Sequence, residues 1–361
     1  MKKILTITAV FVTALALTGC QKDGTVFGNN DDMCALTVCV GDESAVNTKI
    51  AGAVADDNII RDVQILVFRK EAADEESKID AAVRISGLNA EDAYTVTEAL
   101  NCTRGPREIW VVANAASDYI TGTEAVLTLK DLKAKTTVLN DNHYGTIDKS
   151  FVMAGNKVVD LNAAFQSVSV DVKRMACKIV VKSIEDKLTL PVYQAAGSLK
   201  ITGAYLMSVA GCQKFDNLNT VSTARTFFPA SGIPANCWYG KNVKDANALI
   251  TEDYTPVKAL EYNGKLNDVS TFYAYPNDAA PSSESMWSVR GTILVIAATI
   301  KGDVCYYPVQ LPDLESNKCY EVSLVIRHRG SEDPWRPVEY DDLTTTVNVI
   351  PWTPVSIPSE I

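Results

Sequence analysis

VSVDVKRMACKIVVKSI, residues 168–184, is the stretch that decides the fold class of this chain. In its first part valines alternate with polar residues, which is the period of a strand with one buried face. Its second part, Ala176 to Ile184, is rich in β-branched residues and predicts another long strand. We expect a new β-rich block to begin here, and we place a domain boundary between residues 171 and 172.

The same strand signals occur on both sides of this stretch. Residues 127–139 predict one short helix, whereas residues 212–268 are polar, contain Asn and Pro, and predict long loops. Many short strands with few helices are typical of stacked antiparallel sheets. The sequence therefore predicts a mainly β fold of two β-sandwich domains in tandem. The other predicted strands are 36–40, 63–68, 109–114, 199–209, 271–275, 291–300, 305–311 and 320–327.

The first twenty residues have the pattern of a bacterial lipoprotein signal. Two lysines precede a short apolar run, which leads through Leu17-Thr18-Gly19 into Cys20. This pattern predicts a signal peptide at residues 1–19, acylation of Cys20 and a polar tether at residues 20–33. Because each buried methylene contributes about 0.8 kcal/mol, several acyl chains would hold the domain on a membrane. An ordinary secretory signal and a short membrane anchor stay open as alternatives.

Composition excludes some functions. The formal net charge is −10 and no basic patch occurs, which argues against nucleic-acid binding. The eight cysteines after Cys20 are scattered, without a CxxC pair, so we expect most to be small buried side chains and predict no metal site. One or two disulfides stay open. No cofactor is predicted.

Catalytic signals are missing from the sequence. No GxSxG, P-loop, HExxH or GxGxxG motif is present, and the chain has two histidines. The acidic pairs, such as Asp56-Asp57, lack the spacing of an EF-hand. We predict that the chain is not an enzyme, with a hydrolase that uses acidic residues of the 212–268 loops as a third-ranked alternative.

Four segments together resemble the fimbrillin family, the lipoprotein-derived subunits of type V pili. The likeness covers nearly the whole chain and depends on the order and spacing of the segments. The segments are the lipobox with its tether and residues 36–40, then residues 107–114, then Phe151-Val152-Met153-Ala154-Gly155 with residues 172–179, and finally the stretch from Tyr320 through residues 330–334 to residues 347–352.

The resemblance implies two transthyretin-like β-sandwich domains, at residues 34–171 and 172–340, with a donor-strand tail at residues 341–361. In that family a protease cuts after the first strand, and a terminal strand of a neighbouring subunit fills the open groove. A sandwich that lacks one edge strand exposes backbone donors and acceptors beside an apolar core, and an incoming strand satisfies both. Such a head-to-tail contact does not close, so it grows a filament.

The resemblance also implies site residues. Lys49 lies in the loop after the first strand, where the family commonly has arginine, and the nearest arginine is Arg61 at the start of the second strand. Cutting at either residue, and no cutting at all, stay open. The tail either inserts into a neighbour or completes its own second domain. The candidate donor-strand residues are Val347, Val349, Trp352, Val355 and Ile357.

These features predict a structural pilus subunit, of the stalk because the tail is long and β-prone. Its expected partners are other copies of itself, other pilus subunits, a processing protease and the membrane through Cys20. It would be an outer-membrane lipoprotein precursor and then part of a cell-surface pilus, with an unknown host ligand. A tip or anchor subunit is one alternative. Another is a monomeric surface lipoprotein that binds a glycan or host protein through Trp238, Tyr239 and Tyr254.

Overall fold

A computed structural model gives the fold. It divides into two units, Met1–Asp32 and Met33–Ile361, and the strands that the structure describes belong to the second. Within the described part, no helix is long and apolar enough to cross a membrane. The structure describes residues 32–42, 60–88, 95–138, 151–207, 209–210, 212–217, 238–239, 258–277, 291–334, 336 and 343–351.

The strands of residues 33–174 form a seven-stranded sheet, which we call the N-terminal sandwich. Its order is β3-β2-β5-β7-β8-β1-β4. The strands are β1 (Met33–Asp42), β2 (Asp62–Arg69), β3 (Ile79–Ser86), β4 (Thr95–Thr103), β5 (Gly105–Ala113), β7 (Met153–Leu161) and β8 (Phe165–Arg174), while β6 (Thr136–Val138) lies outside this sheet.

This sheet folds into two layers at one corner. Strands β7 and β8 pair only through Met153 with Arg174 and Ala154 with Lys173, so β4-β1-β8 and β3-β2-β5-β7 form separate layers. At the corner a Cβ on Gly155 would lie 2.0 Å from the backbone oxygen of Asp171, so glycine permits the close approach. Apolar side chains of both layers form one buried cluster, which is the core of a sandwich.

The strands after residue 176 form two four-stranded sheets, which we call the C-terminal sandwich. Their orders are β15-β9-β18-β19 and β14-β10-β16-β17. Most buried apolar side chains of both sheets belong to one cluster, which also includes Leu66, Phe68 and Trp110 of the N-terminal sandwich, whereas Met207, Ile293 and Val295 form a small separate cluster. The strands are β9 (Cys177–Asp186), β10 (Leu199–Met207), β14 (Lys258–Ala259), β15 (Lys265–Ala274), β16 (Ile293–Ile300), β17 (Asp303–Gln310), β18 (Lys318–Ile326) and β19 (Leu343–Pro351).

The two sandwiches repeat one topology. In the first, β1 lies between β4 and β8, antiparallel to β4 and parallel to β8. In the second, β9 lies between β15 and β18, antiparallel to β15 and parallel to β18. The facing layers correspond in the same way, β3-β2-β5-β7 to β14-β10-β16-β17. The mainly β fold is confirmed, whereas two transthyretin-like domains with a boundary at 171/172 stay a prediction.

Short elements complete the described chain. The predicted helix is α1 (Leu129–Ala134), which begins with a capping box between Thr128 and Asp131. The prediction of loops over 212–268 is wrong where β15 begins at Lys265, because alternating half-buried positions there pair with β9. The other elements are β11 (Val209–Ala210), β12 (Cys212–Lys214), β13 (Trp238–Tyr239) and single 3₁₀ turns at Gly122–Glu124, Pro191–Tyr193 and Phe215–Asn217.

Contacts between the two sandwiches are apolar and hydrogen-bonded. The ring of Phe151 lies 4.8 Å from that of Tyr273, centroid to centroid. Arg174, fully buried at the end of β8, donates from its guanidinium to the Asn317 side-chain oxygen at 2.7 Å. The passage from β8 into β9 is therefore fixed by packing and by a charge-assisted hydrogen bond.

Candidate functional site

The first strand is an inner strand of its layer. It pairs with β4 from Met33 to Gly41 and with β8 from Ala35 to Asp42, so hydrogen-bonded neighbours flank it on both sides. We expected the strand that is lost after cutting to be an edge strand. This expectation is wrong for β1, because β4 is the strand at the edge of the layer. Loss of β1 would leave a slot between β4 and β8, which we call the β1 groove.

One face of β1 belongs to the core. Cys34, Leu36, Val38 and Val40 have no exposed surface, whereas the residues between them are half-buried. Alternate side chains of a strand point to opposite faces, so the sequence pattern selects which four enter the core. At about 1.5–3 kcal/mol for each side chain, burial of Leu36, Val38 and Val40 contributes roughly 5–9 kcal/mol.

The start of β1 is held by its neighbours. The Arg104 guanidinium donates to the carbonyl of Met33 at 3.1 Å. The backbone N–H of Ala35 donates to the carbonyl of Ala164 at 2.8 Å. Both bonds add to the ladder that places β1 between β4 and β8.

A buried acidic residue supports the edge strand of this layer. The Asp80 carboxylate accepts hydrogen bonds from the Thr103 N–H at 2.8 Å and from the Arg107 side chain at 3.1 Å. Burial acts to raise the pKa of Asp80, but the Thr103 hydrogen bonds and the Arg107 charge outweigh it and hold the pKa below its ordinary value. The network ties β3, β4 and β5 together at one end.

The two predicted cut sites differ in what the structure shows. Lys49 lies outside the described residues. Arg61 has a backbone N–H that donates to the Asn114 side-chain oxygen at 2.8 Å and a carbonyl that accepts from the Leu88 N–H at 3.1 Å. Ile60 beside it is buried. The peptide at Arg61 is therefore built into the fold.

Asn114 is a residue whose role the sequence did not reveal. It follows β5 with a φ of +57°, a left-handed conformation that asparagine tolerates. Its side-chain oxygen accepts from Arg61, and its amide donates to the carbonyl of Phe151 at 2.9 Å. The sequence signal for this link is an asparagine at the end of the strand predicted over residues 109–114, a position where asparagine suits a turn.

The predicted donor residues fall partly within the described chain. Val347 and Val349 lie in β19, where they pair with Val322 and Tyr320 of β18 in the same chain. Val349 is half-exposed, and Val347 packs against the core. Among the described strands, β19 ends its sheet. Trp352, Val355 and Ile357 lie outside the described residues.

The remaining candidate residues do not form a second described site. Cys20 and Tyr254 lie outside the described residues, and Trp238 and Tyr239 form β13, which pairs with β11. No group of three or more His, Cys, Asp or Glu side chains suited to a metal occurs in the described ranges. Among the described cysteines, Cys34, Cys102, Cys177, Cys305 and Cys319 are buried and Cys39 is half-buried, and no disulfide joins these six.

Comparison with known proteins agrees with this geometry. Residues 35–174 match the family model of the major fimbrial subunit protein (FimA). The resemblance to the fimbrillin family is confirmed. The matched range begins inside β1 and ends with β8, so it contains β4 and β8, the strands that flank the β1 groove. No curated protein matches the chain.

Solved structures share the fold along most of the chain. A fimbrilin from Porphyromonas gingivalis matches with a TM-score of 0.58 and 17% identity, covering 91% of this chain and 100% of its own. A candidate cell adhesion protein from Bacteroides eggerthii gives 0.59 and 20%, with 90% and 98% covered. Another from Parabacteroides distasonis gives 0.59 and 17%, with 89% and 100% covered. At these identities the likeness to fimbrillin structures shows the fold alone.

Proposed function

We propose that this chain is a structural subunit of a cell-surface pilus, polymerised by protease-triggered strand exchange. The observation that carries the proposal is the place of β1, an inner strand with four fully buried side chains and hydrogen-bonded neighbours on both sides. The match of residues 35–174 to a fimbrial subunit model supports it.

Release of β1 would destabilise the N-terminal sandwich unless another strand replaced it. The inward-facing backbone groups of β4 and β8 would lose their ladder partners, and the core would be opened beside them. An incoming strand with alternating apolar side chains restores the backbone hydrogen bonds and closes the core. Because the groove is flanked on both sides, an incoming strand gains two ladders rather than the single one available at a sheet edge.

The cut that would free β1 falls between residues 43 and 59 in this proposal, with Lys49 as the target. Proteases bind extended, accessible backbone, so a peptide bond held by hydrogen bonds resists cutting. The contacts of Arg61 with Asn114 and Leu88 therefore favour Lys49 over Arg61. A trypsin-like protease that accepts lysine is the expected partner.

The C-terminal tail is the proposed donor. Val347 and Val349 complete the sheet of their own chain through β18, so their transfer would require β19 to leave it. We therefore assign the outward-reaching part to Trp352, Val355 and Ile357, with β19 as its base. A chain that both accepts and donates a strand is suited to the stalk.

Export follows from the signal pattern at the other end of the chain. Acylation of Cys20 would place the precursor on the outer membrane, and a cut near Lys49 would separate the lipid and β1 from the rest of the subunit. The same cleavage is therefore required both to open the groove and to free the subunit from the membrane.

Trace trypsin tests the proposal. The full chain, extracted from the cell envelope in detergent with reductant, is treated with trypsin, the cut is located by mass spectrometry, and particles are viewed by electron microscopy. We expect a cut at Lys49 followed by rods. Lys49→Ala should stay intact and monomeric, whereas Arg61→Ala should behave like the parent chain. A clean cut with a lasting monomer would point instead to a tip, an anchor or a ligand-binding lipoprotein.

A second experiment tests the donor assignment. A chain ending at Ile350 should fold and be cut as before, yet form no filaments, because it keeps most of β19 but lacks Trp352, Val355 and Ile357. Persistence of filaments after this truncation would show that the donor lies elsewhere.

A further inference from the structure

The first strand carries a cysteine that lies directly opposite another cysteine. Cys34 of β1 is in register with Cys102 of β4 in the antiparallel pair, and both side chains are buried. The Cys102 sulfur lies 3.7 Å from the carbonyl oxygen of Cys34. Both residues therefore belong to the same end of the β1 groove.

The register places this pair within the Cα distance that a disulfide bridges. Directly opposite residues of antiparallel strands have Cα atoms about 4.5 or 5.5 Å apart, and disulfides bridge Cα distances of about 4.4–6.8 Å. Among the paired strands described, no other cysteine lies opposite a cysteine: Cys39 faces Thr97 and Ser169, and Cys177 faces Ala274.

We propose that Cys34 and Cys102 form a disulfide that locks β1 to β4. The two thiols lose two protons and two electrons as the S–S bond forms. A disulfide oxidant, such as a periplasmic thiol oxidase or oxidised glutathione, accepts them and is reduced to two thiols. The signal pattern before Cys20 supports export to a compartment where such oxidants occur.

The bond forms during folding rather than afterwards. Burial raises the pKa of Cys102 to about 12, so almost none of this thiol is ionised in the folded protein at neutral pH. Since the thiolate is the attacking species, oxidation must occur before β1 and β4 pair and bury the two thiols. The same burial then shields the finished disulfide from reductants in bulk solvent.

The disulfide between Cys34 and Cys102, which we call the lock, has a consequence for assembly that rests on the proposed function. Lys49 lies between Cys34 and Cys102 in the sequence, so a cut there leaves β1 covalently attached to β4. The β1 groove then stays filled in a cut subunit. Strand exchange waits until a thiol reductant, such as reduced glutathione or a dithiol protein, converts the bond to two thiols and is itself oxidised to a disulfide. Proteolysis and reduction become two separate conditions for assembly.

Disulfide mapping tests the bond itself. The full chain is recovered from the cell envelope without reductant, its thiols are blocked with N-ethylmaleimide, and its peptides are compared before and after reduction. We expect one peptide pair linking Cys34 to Cys102. A parallel sample of the full chain is refolded in a glutathione redox buffer. Complete alkylation of both cysteines in both samples, or a link from either one to a different cysteine, would overturn the proposal.

Limited trypsin treatment then tests the lock. The cut parent chain should keep its N-terminal fragment in SDS without reductant and lose it when reductant is added. Cys34→Ser and Cys102→Ser should lose the fragment in both conditions, and Cys39→Ser, on the outer face of the same strand, should match the parent. The comparison of the parent with and without reductant needs no variant, so a misfolded variant does not spoil the test.

The outcomes separate the two proposals. Release of the fragment in SDS from an unreduced parent chain refutes the lock, while strand exchange can still proceed. A mapped disulfide with no rods after cutting and reduction supports the lock and refutes strand exchange. A mapped disulfide with rods that form only after reduction supports both.

Discussion

Strands β1 and β9 have the same place in their sandwiches and opposite connections to the chain. Each lies between an antiparallel and a parallel neighbour and contributes alternate buried side chains to its core. However, β9 follows β8 after only Met175 and Ala176, both buried. The connection between β8 and β9 therefore offers no accessible segment in which a cut could free β9. By contrast, residues 43–59 separate β1 from β2.

In the proposed strand exchange, pairing order alone does not make a strand replaceable, because the adjoining chain must also let the strand leave. The buried Arg174, bonded to Asn317, fixes the β8–β9 passage. A second difference concerns the strand that pairs with the parallel neighbour on its other side. In the C-terminal sandwich β18 pairs with the additional strand β19, whereas in the N-terminal sandwich β8 pairs with β7 only at the corner. We expect the first sandwich to accept a strand and the second to support the donor.

The largest expected effect comes from the matched core substitutions Leu36→Ala and Ile179→Ala. Each should lower the free energy of unfolding of the intact chain by about 2–5 kcal/mol, because each removes a fully buried side chain. In chains cut at Lys49 under reducing conditions, only Leu36→Ala should hasten loss of the N-terminal fragment. Urea denaturation and size-exclusion chromatography measure the two effects. Equal fragment loss in both variants would remove the distinction between β1 and β9.

Asp80→Asn should cost the first sandwich about 2 kcal/mol at neutral pH, since hydrogen bonds to a buried charge are lost. The folded state lowers the pKa of Asp80, so its contribution is present above the ordinary value of 3.8 and is lost as pH falls through the folded pKa. The parent and the variant should therefore converge in acid. Urea melts from pH 3 to 7 measure this, with the exposed Asp303→Asn as control. A constant difference down to pH 3 would contradict the assignment.

Gly155→Ala tests the corner that only the first sandwich has. The added Cβ would meet the Asp171 carbonyl oxygen at 2.0 Å, so the backbone must shift, at a cost of about 1–3 kcal/mol. Gly203→Ala in β10 places its Cβ 3.7 Å from that of Ala297, which is ordinary contact, and should change stability by less than about 0.5 kcal/mol. Thermal unfolding of the two variants compares them, and similar melting temperatures would refute the role of the corner.

The smallest effect is expected for Asp186→Asn at the end of β9. Burial raises the pKa of Asp186, and one of its carboxylate oxygens is buried without a hydrogen-bond partner. The native state then binds more protons than the unfolded state above pH 3.8, so the Asp186 contribution falls as pH rises through the folded pKa. The variant should be slightly more stable than the parent at pH 7 and equally stable at pH 3. A loss at pH 7 in urea melts would show that the ionised form is stabilising.

Local patterns predicted most strands of the fold because period and residue type act over a few residues. The alternation around Val168 and the β-branched run from Ala176 gave β8 and β9. Strand β3 was not predicted, because its half-buried, mixed residues become a strand only through pairing with β2. Residues 265–268 were predicted as a loop because their local preference for a strand is weak. Pairing with β9 overrides this weak preference and makes them part of β15.

The candidate site was predictable in its parts and not in its geometry. The sequence indicated a first strand at residues 36–40, two basic residues after it and a β-prone tail. It did not indicate that β1 lies between two neighbours, that Asn114 holds Arg61, or that Cys34 meets Cys102, because each depends on contacts between residues 50 or more positions apart.

The sequence by itself determined the mainly β class, the signal pattern ending in Cys20 and the resemblance to fimbrillin, since these depend on composition, period and short motifs. Only the tertiary structure decided which strand we propose as replaceable, because that depends on pairing order. Both β1 and β9 are inner strands, but residues 43–59 follow β1, whereas the buried Met175 and Ala176 join β9 directly to β8.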